Sequence, residues 1–180
     1  MTKAPDNSVV VESPKVEHKG TQFTIGIRRR IPSKTIASAI PKFLKQTEKY
    51  LSMKGIPVSG APFFRFHSIN MGIEYDLEVG FLCKSVMESD GEFVANTLPD
   101  GNYATLKYAG KNRGYQGNKA LIEWARSNQH EMDRWDTDFG DTFACRYEVY
   151  VTDIETEPDH KKWVKAVSYT HLRAHETVLD

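Results

Sequence analysis

The stretch Ile73-Glu-Tyr-Asp-Leu-Glu-Val-Gly-Phe-Leu-Cys83 decides the fold of this 180-residue chain. Apolar and acidic positions alternate along it, with Tyr75, Leu77, Val79 and Phe81 between Glu74, Asp76, Glu78 and Gly80. A period of two predicts a β-strand with one apolar and one acidic face. Antiparallel sheets built from such strands have one face in a core and leave the other for water or a ligand.

The segments before this strand predict a strand, a helix and a further strand. Gln22 to Arg30 alternates as a strand, and Phe63 to Ser68 is a second one, which the turn Asn70-Met71-Gly72 joins to the acidic strand. Between them lies a helical stripe that Gly55 ends: Ile40, Phe43, Leu44, Thr47 and Leu51. This pattern predicts Pro41 in or near the first turn of the helix, with residues 36–39 as a separate short turn.

The second half of the chain repeats this order. After a short connecting strand, Glu92 to Thr97, the pattern predicts a strand, a helix and two strands: Asn102–Ala109, a helix opening at Gly114 with its stripe at Ala120, Leu121, Trp124, Ala125 and Asn128, then Thr142–Thr152 and Lys162–Tyr169. The predicted fold class is α+β. Duplicated βαββ units form a curved antiparallel sheet, with two helices on one face and a ligand pocket on the other.

The two ends of the chain do not share this pattern. Residues 1–20 are predicted to be a flexible leader, and residues 21–169 a ligand-binding domain. Residues 170–180 look foreign to the fold and resemble a read-through or expression tail. His171 and His175 have a helical ligand spacing there, but we do not interpret them as a metal site.

Composition narrows the function classes. Lys and Arg together number 24, as do Asp and Glu, so the formal net charge is zero. That balance argues against direct nucleic-acid binding, and the triplet Arg28-Arg29-Arg30 is interpreted as a solvated strand end. Cys83 and Cys145 stand alone, so no disulfide framework, metal site or cofactor is expected. No apolar run reaches the roughly 20 residues of a membrane helix. The N-terminus lacks a secretory signal, which predicts a cytoplasmic protein without membrane contact.

Three segments resemble the GyrI-like small-molecule-binding family, which is related to the effector domains of AraC-type regulators. They are Tyr75–Phe81, Gly101–Gly110 leading into a helix that ends near Trp124, and Arg146–Val151. The resemblance covers residues 22–169. It implies an SHS2-type duplication with a SOUL-like fold, in agreement with the repeated βαββ pattern. Because no helix-turn-helix precedes the first firm strand, we expect a stand-alone member of the family.

The resemblance implies a site glutamate in a Glu-x-Tyr motif of the penultimate strand, here Glu148 and Tyr150. Alternation divides that strand into a face predicted to pack on the helices (Cys145, Tyr147, Val149) and a face toward the pocket (Arg146, Glu148, Tyr150). A carboxylate in a dry, aromatic site has a raised pKa and attracts cations, and it can act as a general base. The alternative is a surface ion pair between Glu148 and Arg146.

Glu78 is the second candidate carboxylate, because it lies opposite the apolar face of its strand. Twofold symmetry would bring it across from Glu148, and two carboxylates in unlike environments suit acid–base hydrolysis. The alternative is a solvated polar face.

Aromatic residues are candidates for the pocket walls, since planar cations stack on aromatic rings. The candidates are Phe64, Phe66, Tyr103 and Trp163. For each of these rings, ordinary core packing is the alternative.

The leading functional hypothesis is a domain that binds small amphipathic compounds, cationic or electrophilic and aromatic, with Glu148 at the centre of its pocket. The resemblance also implies two alternatives. One is a hydrolase that opens strained, cyclopropanoid-type genotoxic xenobiotics with Glu148 and Glu78 as catalytic residues, which would confer xenobiotic resistance. The other is an inhibitor or protector that contacts a topoisomerase.

Overall fold

A computed structural model describes residues 10–110, 113–152, 158 and 164–173 of the chain. They form an antiparallel sheet of ten strands and two helices, which confirms the predicted α+β class. The strands are β1 (Val10–Lys19), β2 (Gln22–Pro32), β3 (Pro62–Asn70), β4 (Glu74–Cys83), β5 (Phe93–Leu98), β6 (Gly101–Ala109), β7 (Arg134–Thr137), β8 (Gly140–Phe143), β9 (Arg146–Tyr150) and β10 (Val164–His171). The helices are α1 (Ile36–Met53) and α2 (Gly114–Ser127). Within the described part of the chain, neither helix is long and apolar enough to cross a lipid bilayer.

The strand order shows the predicted duplication. Across the sheet it is β1-β6-β10-β9-β3-β4-β2-β5, with the small β7–β8 hairpin attached to β3. Reading outward from the central β9–β3 pair, β10 corresponds to β4, β6 to β2 and β1 to β5. Each half is therefore a βαββ unit preceded by one additional strand, and that strand is paired with the other half.

Helix α1 is longer than predicted. It begins at Ile36, so residues 36–39 are its first turn and Pro41 lies inside it. Pro41, which was predicted in or near the first turn, is the sixth residue of the helix. At this position a proline removes one intrahelical hydrogen bond, because only the first four N–H groups have no partner within the helix. The stripe that includes Phe43, Leu44 and Leu51 is buried, as its spacing predicts.

Both helices pack on the same face of the sheet. Helix α1 covers β2 and β4, and α2 covers β6, β1 and β10. Their side chains form two apolar clusters with that face, one around Phe43 and Leu44 with Val79, the other around Leu121 with Leu106. The central strands β3 and β9 therefore lie in the gap between α1 and α2.

The opposite face of the sheet is concave and has a core of its own. Two residues separate β5 from β6, although these strands are eighth and second in the sheet order, so the sheet must curl. Leu98 at the end of β5 consequently packs with Tyr103, Cys145 and Tyr147. Both faces of this sheet are buried over much of their area.

The chain ends differ from the predicted boundaries. Val10–Lys19 forms strand β1 on β6 rather than a flexible leader, with Glu12 joined to Lys107 by an ion pair of 2.7 Å. Strand β10 extends to His171, so the tail does not begin at 170. Thr170 and Leu172 are buried, and the Leu172 N–H donates to the Asn102 carbonyl. Val10–Lys19 and residues 170–173 were not predicted as part of the sheet, because both segments are mostly polar and their partner strands are distant in sequence.

The predicted strand 142–152 is interrupted. The chain leaves the ladder at Ala144 and Cys145, which separates β8 from β9, and β8 turns back on the unpredicted β7. The turn depends on Gly140, which has a φ of 97°. A Cβ there would lie 2.4 Å from the Ile69 carbonyl oxygen, so the hairpin approaches β3 closely only with glycine at this position.

Candidate functional site

Glu148 lies in the middle of the sheet, on β9, directly opposite Phe64 of β3. It is only 4% exposed, although it carries an ionisable carboxyl group. The Tyr108 hydroxyl of β6 donates a short hydrogen bond to Glu148 Oε1. A carboxylate buried at the centre of a domain costs free energy unless such partners offset its desolvation.

Aromatic rings surround this carboxylate. The ring centroids of Tyr150 and Phe64 are 5.9 Å apart, and Phe64 meets Phe66 edge-on at 5.8 Å. All three rings belong to the cluster that packs under α1, and Tyr108 lies toward α2. We call Glu148, Tyr108, Tyr150, Phe64 and Phe66 the Glu148 cluster.

The charge of Glu148 shifts the pKa values of the neighbouring tyrosines, Tyr108 and Tyr150. Burial raises the pKa of the Tyr108 hydroxyl, and the charge and hydrogen bond of Glu148 raise it further. Burial and the same charge raise the pKa of Tyr150. Both phenols therefore remain protonated at neutral pH, and each can donate a hydrogen bond.

Arg146 lies beside the Glu148 cluster, two residues before Glu148 on the same strand. Its guanidinium carbon is 4.9 Å from the Phe143 ring centroid and 5.8 Å from that of Phe66, and its Nη2 donates to Asn118 Oδ1 at 3.1 Å. Burial lowers the pKa of Arg146, whereas the charge of Glu148 opposes that shift. The acidic group of the Glu148 cluster therefore has a largely enclosed cation, Arg146, next to the cluster.

Helix α2 approaches Tyr108 very closely at Gly117. A Cβ at this position would lie 2.7 Å from two carbons of the Tyr108 ring. Glycine therefore allows the helix to pack directly on the Tyr108 ring, whose hydroxyl donates to Glu148. Helix α2 and the carboxylate thus both contact Tyr108.

The predicted orientation of this strand is reversed. Cys145, Tyr147 and Val149 belong to the core of the concave face, while Glu148 and Tyr150 face the helices. The alternative of a surface ion pair is also wrong, because Glu148 is buried.

Glu78 faces the concave side, on the other side of the sheet. It is fully buried, and it accepts hydrogen bonds from His67 Nε2 at 2.7 Å and Asn96 Nδ2 at 3.1 Å. Burial alone would raise the pKa of Glu78, but the hydrogen bond from His67 and the charges of His67 and Arg65 bring it below its ordinary value. The expectation that Glu78 lies across from Glu148 is wrong, and so is its alternative, a solvated polar face.

The remaining predicted aromatic residues do not join the Glu148 cluster. Tyr103 is fully buried in the concave core, edge-on to Tyr147, and its hydroxyl donates to the Pro99 carbonyl at 2.6 Å. Trp163 lies outside the described residues.

Two residues of these arrangements were missed by the sequence reasoning. Tyr108 is two residues from Leu106 on β6 and so shares its strand face, which could have indicated that Tyr108 faces α2. His67 had no usable signal, because a β-bulge between Phe66 and Ser68 turns both His67 and Ser68 to the concave side. Within the described residues, no group of three or more potential ligands is arranged to hold a metal ion.

No family model matches the sequence, and no curated protein matches it. Solved structures do match. The C-terminal domain of EcmrR superposes with a TM-score of 0.66 at 12% identity, over 91% of this chain and 98% of that one. EcmrR in its DNA complex gives a TM-score of 0.69 at 13% identity over 91% of this chain, which spans 58% of that longer chain.

Two further structures have similar architecture. SAV2435 bound to tetraphenylphosphonium gives a TM-score of 0.58 at 9% identity, over 90% of this chain and 94% of that one. A hydrolase from Listeria innocua gives 0.57 at 8% identity, over 90% and 92%. Identities this low establish a common fold alone. At that level the predicted resemblance is confirmed, and the chain has the fold of the GyrI-like small-molecule-binding domains.

Proposed function

We propose that this domain binds a small amphipathic aromatic cation, and that Glu148 is the residue that recognises its charge. The observation that carries the proposal is a buried carboxylate bordered by aromatic rings, in the gap between two helices. In a site of low dielectric a carboxylate attracts a cation far more strongly than in water. Ring faces add roughly 0.5–2 kcal/mol for each well-placed cation.

The Glu148 cluster is closed, so a ligand enters by displacing side chains. The helices cover the outer strands and leave β3 and β9 between them, which makes this gap the shortest route to Glu148. Helix α2 has no side-chain hydrogen bond capping its N-terminus, and it rests on Tyr108. Movement of its first turn would release the Tyr108 ring and open the carboxylate to the ligand.

The structure of SAV2435 with tetraphenylphosphonium supports the choice of ligand class, because a protein of this fold holds a lipophilic aromatic cation. This ion is therefore the probe for the present chain. Its charge is buried among four rings, so binding tests the carboxylate and the aromatic walls together.

The test is calorimetric titration of tetraphenylphosphonium into the wild type and Glu148→Gln. Loss of a charged contact of about 1–3 kcal/mol weakens binding roughly 5- to 150-fold. Glu123→Gln is the matched control, because Glu123 is an exposed glutamate on α2. Neutral triphenylphosphine oxide should bind both proteins alike. Equal affinity of wild type and Glu148→Gln for the cation would overturn the proposal.

Hydrolysis is the second candidate function, favoured by the contact between a buried carboxylate and a phenol that can donate a hydrogen bond. Glu148 would then act as general base on water and Tyr108 would hydrogen-bond the substrate. Mass analysis of an electrophilic cyclopropane compound after incubation separates the two functions. A binding protein returns the compound unchanged, whereas a hydrolase adds water and loses this activity in Glu148→Gln.

A further inference from the structure

A cavity of about 330 Å³ lies on the face of the sheet opposite the helices, under the β7–β8 hairpin. Its lining includes Arg28, Arg30, His67, Asp76, Trp135 and Phe139. We propose that this cavity is a second ligand site, and that it takes a planar aromatic compound carrying a carboxylate or sulfonate group. The proposal is independent of Glu148, which lies on the other side of the sheet.

The hairpin supplies an aromatic wall. Trp135 and Phe139 are 47% and 53% exposed, unusual values for rings of this size that border the same cavity. The Arg30 guanidinium carbon lies 4.0 Å from the Phe139 ring centroid, so a cation and an aromatic face border the cavity together. A flat ligand that covers both rings would remove their apolar surface from water.

Of the charged groups that line the cavity, Arg30 is more available to a ligand than the carboxylate of Asp76. Asp76 already accepts two hydrogen bonds from Arg28, at 3.0 Å to Oδ1 and 2.8 Å to Oδ2, so a cationic ligand would have to displace a bidentate partner. Arg30 contacts the exposed Glu74 at 3.2 Å and reaches Asp76 only at 4.0 Å, and such contacts of a half-exposed guanidinium contribute little. An anion can therefore recruit Arg30 at small cost, which decides the sign of the ligand's charge.

His67 provides a directional hydrogen-bonding group at the same cavity. Its Nε2 donates to the buried carboxylate of Glu78, so this nitrogen carries the hydrogen. Among the described residues, the other ring nitrogen, Nδ1, has no hydrogen-bond partner, and the side chain is 12% exposed. Nδ1 accepts a hydrogen bond when the ring is neutral and donates one when it is protonated. Glu78 thus holds in place an imidazole that can orient the polar end of the ligand.

The chain offers a matched control at the neighbouring residue. Arg29 has 46% side-chain exposure and Arg30 has 43%. Arg29 pairs with the exposed Glu92, and Arg30 pairs with the exposed Glu74 and, at 4.0 Å, with Asp76. Because successive strand residues point to opposite faces, Arg29 lies on the helix side and does not line the cavity. Arg30→Gln and Arg29→Gln therefore change net charge equally but differ in their position relative to the cavity.

The experiment titrates 1-anilinonaphthalene-8-sulfonate and its neutral analogue, N-phenyl-1-naphthylamine, into each protein and follows their fluorescence. We expect Arg30→Gln to weaken sulfonate binding about tenfold, the usual scale for one charged contact. Arg29→Gln should change it less than twofold, and the neutral analogue should respond little to either change. Trp135→Leu should weaken both compounds, because the ring contact is common to them.

Glu148→Gln should leave sulfonate binding unchanged, and tetraphenylphosphonium should not compete with it. These two results distinguish this site from the Glu148 cluster, and either proposal can fail without the other. Equal effects of Arg29→Gln and Arg30→Gln, or displacement of the sulfonate by the phosphonium ion, would overturn the second site.

Discussion

Glu78 and Glu148 point to opposite faces of one sheet, because their cross-strand partners on β3 are Arg65 and Phe64, which are successive residues. The two carboxylates therefore cannot act on the same substrate atom. A hydrolytic mechanism that divides acid and base between them is excluded by this register. Among the described residues, Tyr108, Tyr150 and Arg146 each interact with Glu148 and could assist chemistry there.

Tyr108→Phe should destabilise the domain by about 1–3 kcal/mol, because the buried carboxylate of Glu148 loses a donor. Urea unfolding at pH 7, followed by circular dichroism, measures this change. Tyr115→Phe is the control, since the Tyr115 side chain is 71% exposed on the same helix that covers Tyr108. If both variants unfold at the same urea concentration, the hydroxyl does not stabilise Glu148.

Glu78→Gln should change how stability depends on pH. The pKa of Glu78 is lowered from its ordinary value of 4.5 in the folded protein. Its ionised form therefore stabilises the fold above pH 4.5, and this contribution is lost as the pH falls below 4.5 through the folded pKa. Urea unfolding of both proteins between pH 5.5 and pH 3 should show the wild type losing its advantage on acidification. A constant difference over that range would show that the carboxylate has an ordinary pKa.

Gly117→Ala should destabilise the domain although alanine favours helices by about 1 kcal/mol over glycine. The new methyl group would meet the Tyr108 ring at 2.7 Å, which forces α2 or the ring to move. Gly114→Ala is the control within the same helix, because its methyl group would lie at an ordinary 3.4 Å from the Tyr108 hydroxyl. Thermal unfolding should give a lower Tm for the first variant only. An unchanged Tm for Gly117→Ala would mean that α2 can shift without cost.

Arg146→Met should increase the affinity for tetraphenylphosphonium several-fold, on the scale of a screened charge–charge interaction. Arg146 stands near Glu148 as a fixed cation, and its charge opposes that of an entering ligand. Methionine retains the packing against Phe66 and Phe143 without the charge. Calorimetric titration with the cation and with neutral triphenylphosphine oxide measures the effect. Equal gains for both ligands would show that packing, rather than charge, had changed.

The order of the strands and helices could be predicted from sequence because β2 and β4 alternate and both helices carry apolar stripes. The orientation of β9 could not. Tyr147 and Val149 form an apolar face, which normally indicates the side that meets the helices. Here the sheet curls, so its concave face has a core as well, and Tyr147 packs there with Tyr103. A rule that assigns the apolar face to the helix side fails when both faces are buried.

Local irregularities account for the other misses. The β-bulge at His67 places two successive residues on one side of the sheet, which alternation cannot anticipate. The hairpin that carries Trp135 and Phe139 contains too few apolar residues for their pattern to predict its two strands. Both features border the cavity under the β7–β8 hairpin. The residues of that proposed ligand site were therefore the ones that sequence reasoning could not bring together.

The exchange of outer strands makes the stability of each half depend on the other half. β1 precedes the first unit but completes the second by pairing with β6, and β5 precedes the second unit but completes the first by pairing with β2. Either half expressed alone would expose an unpaired sheet edge, a template for aggregation. Losing one half also removes the border of the other, so denaturation should proceed in a single cooperative step. The architecture is equivalent to a strand-swapped homodimer with both subunits in one polypeptide, so neither half has a complete sheet without the other.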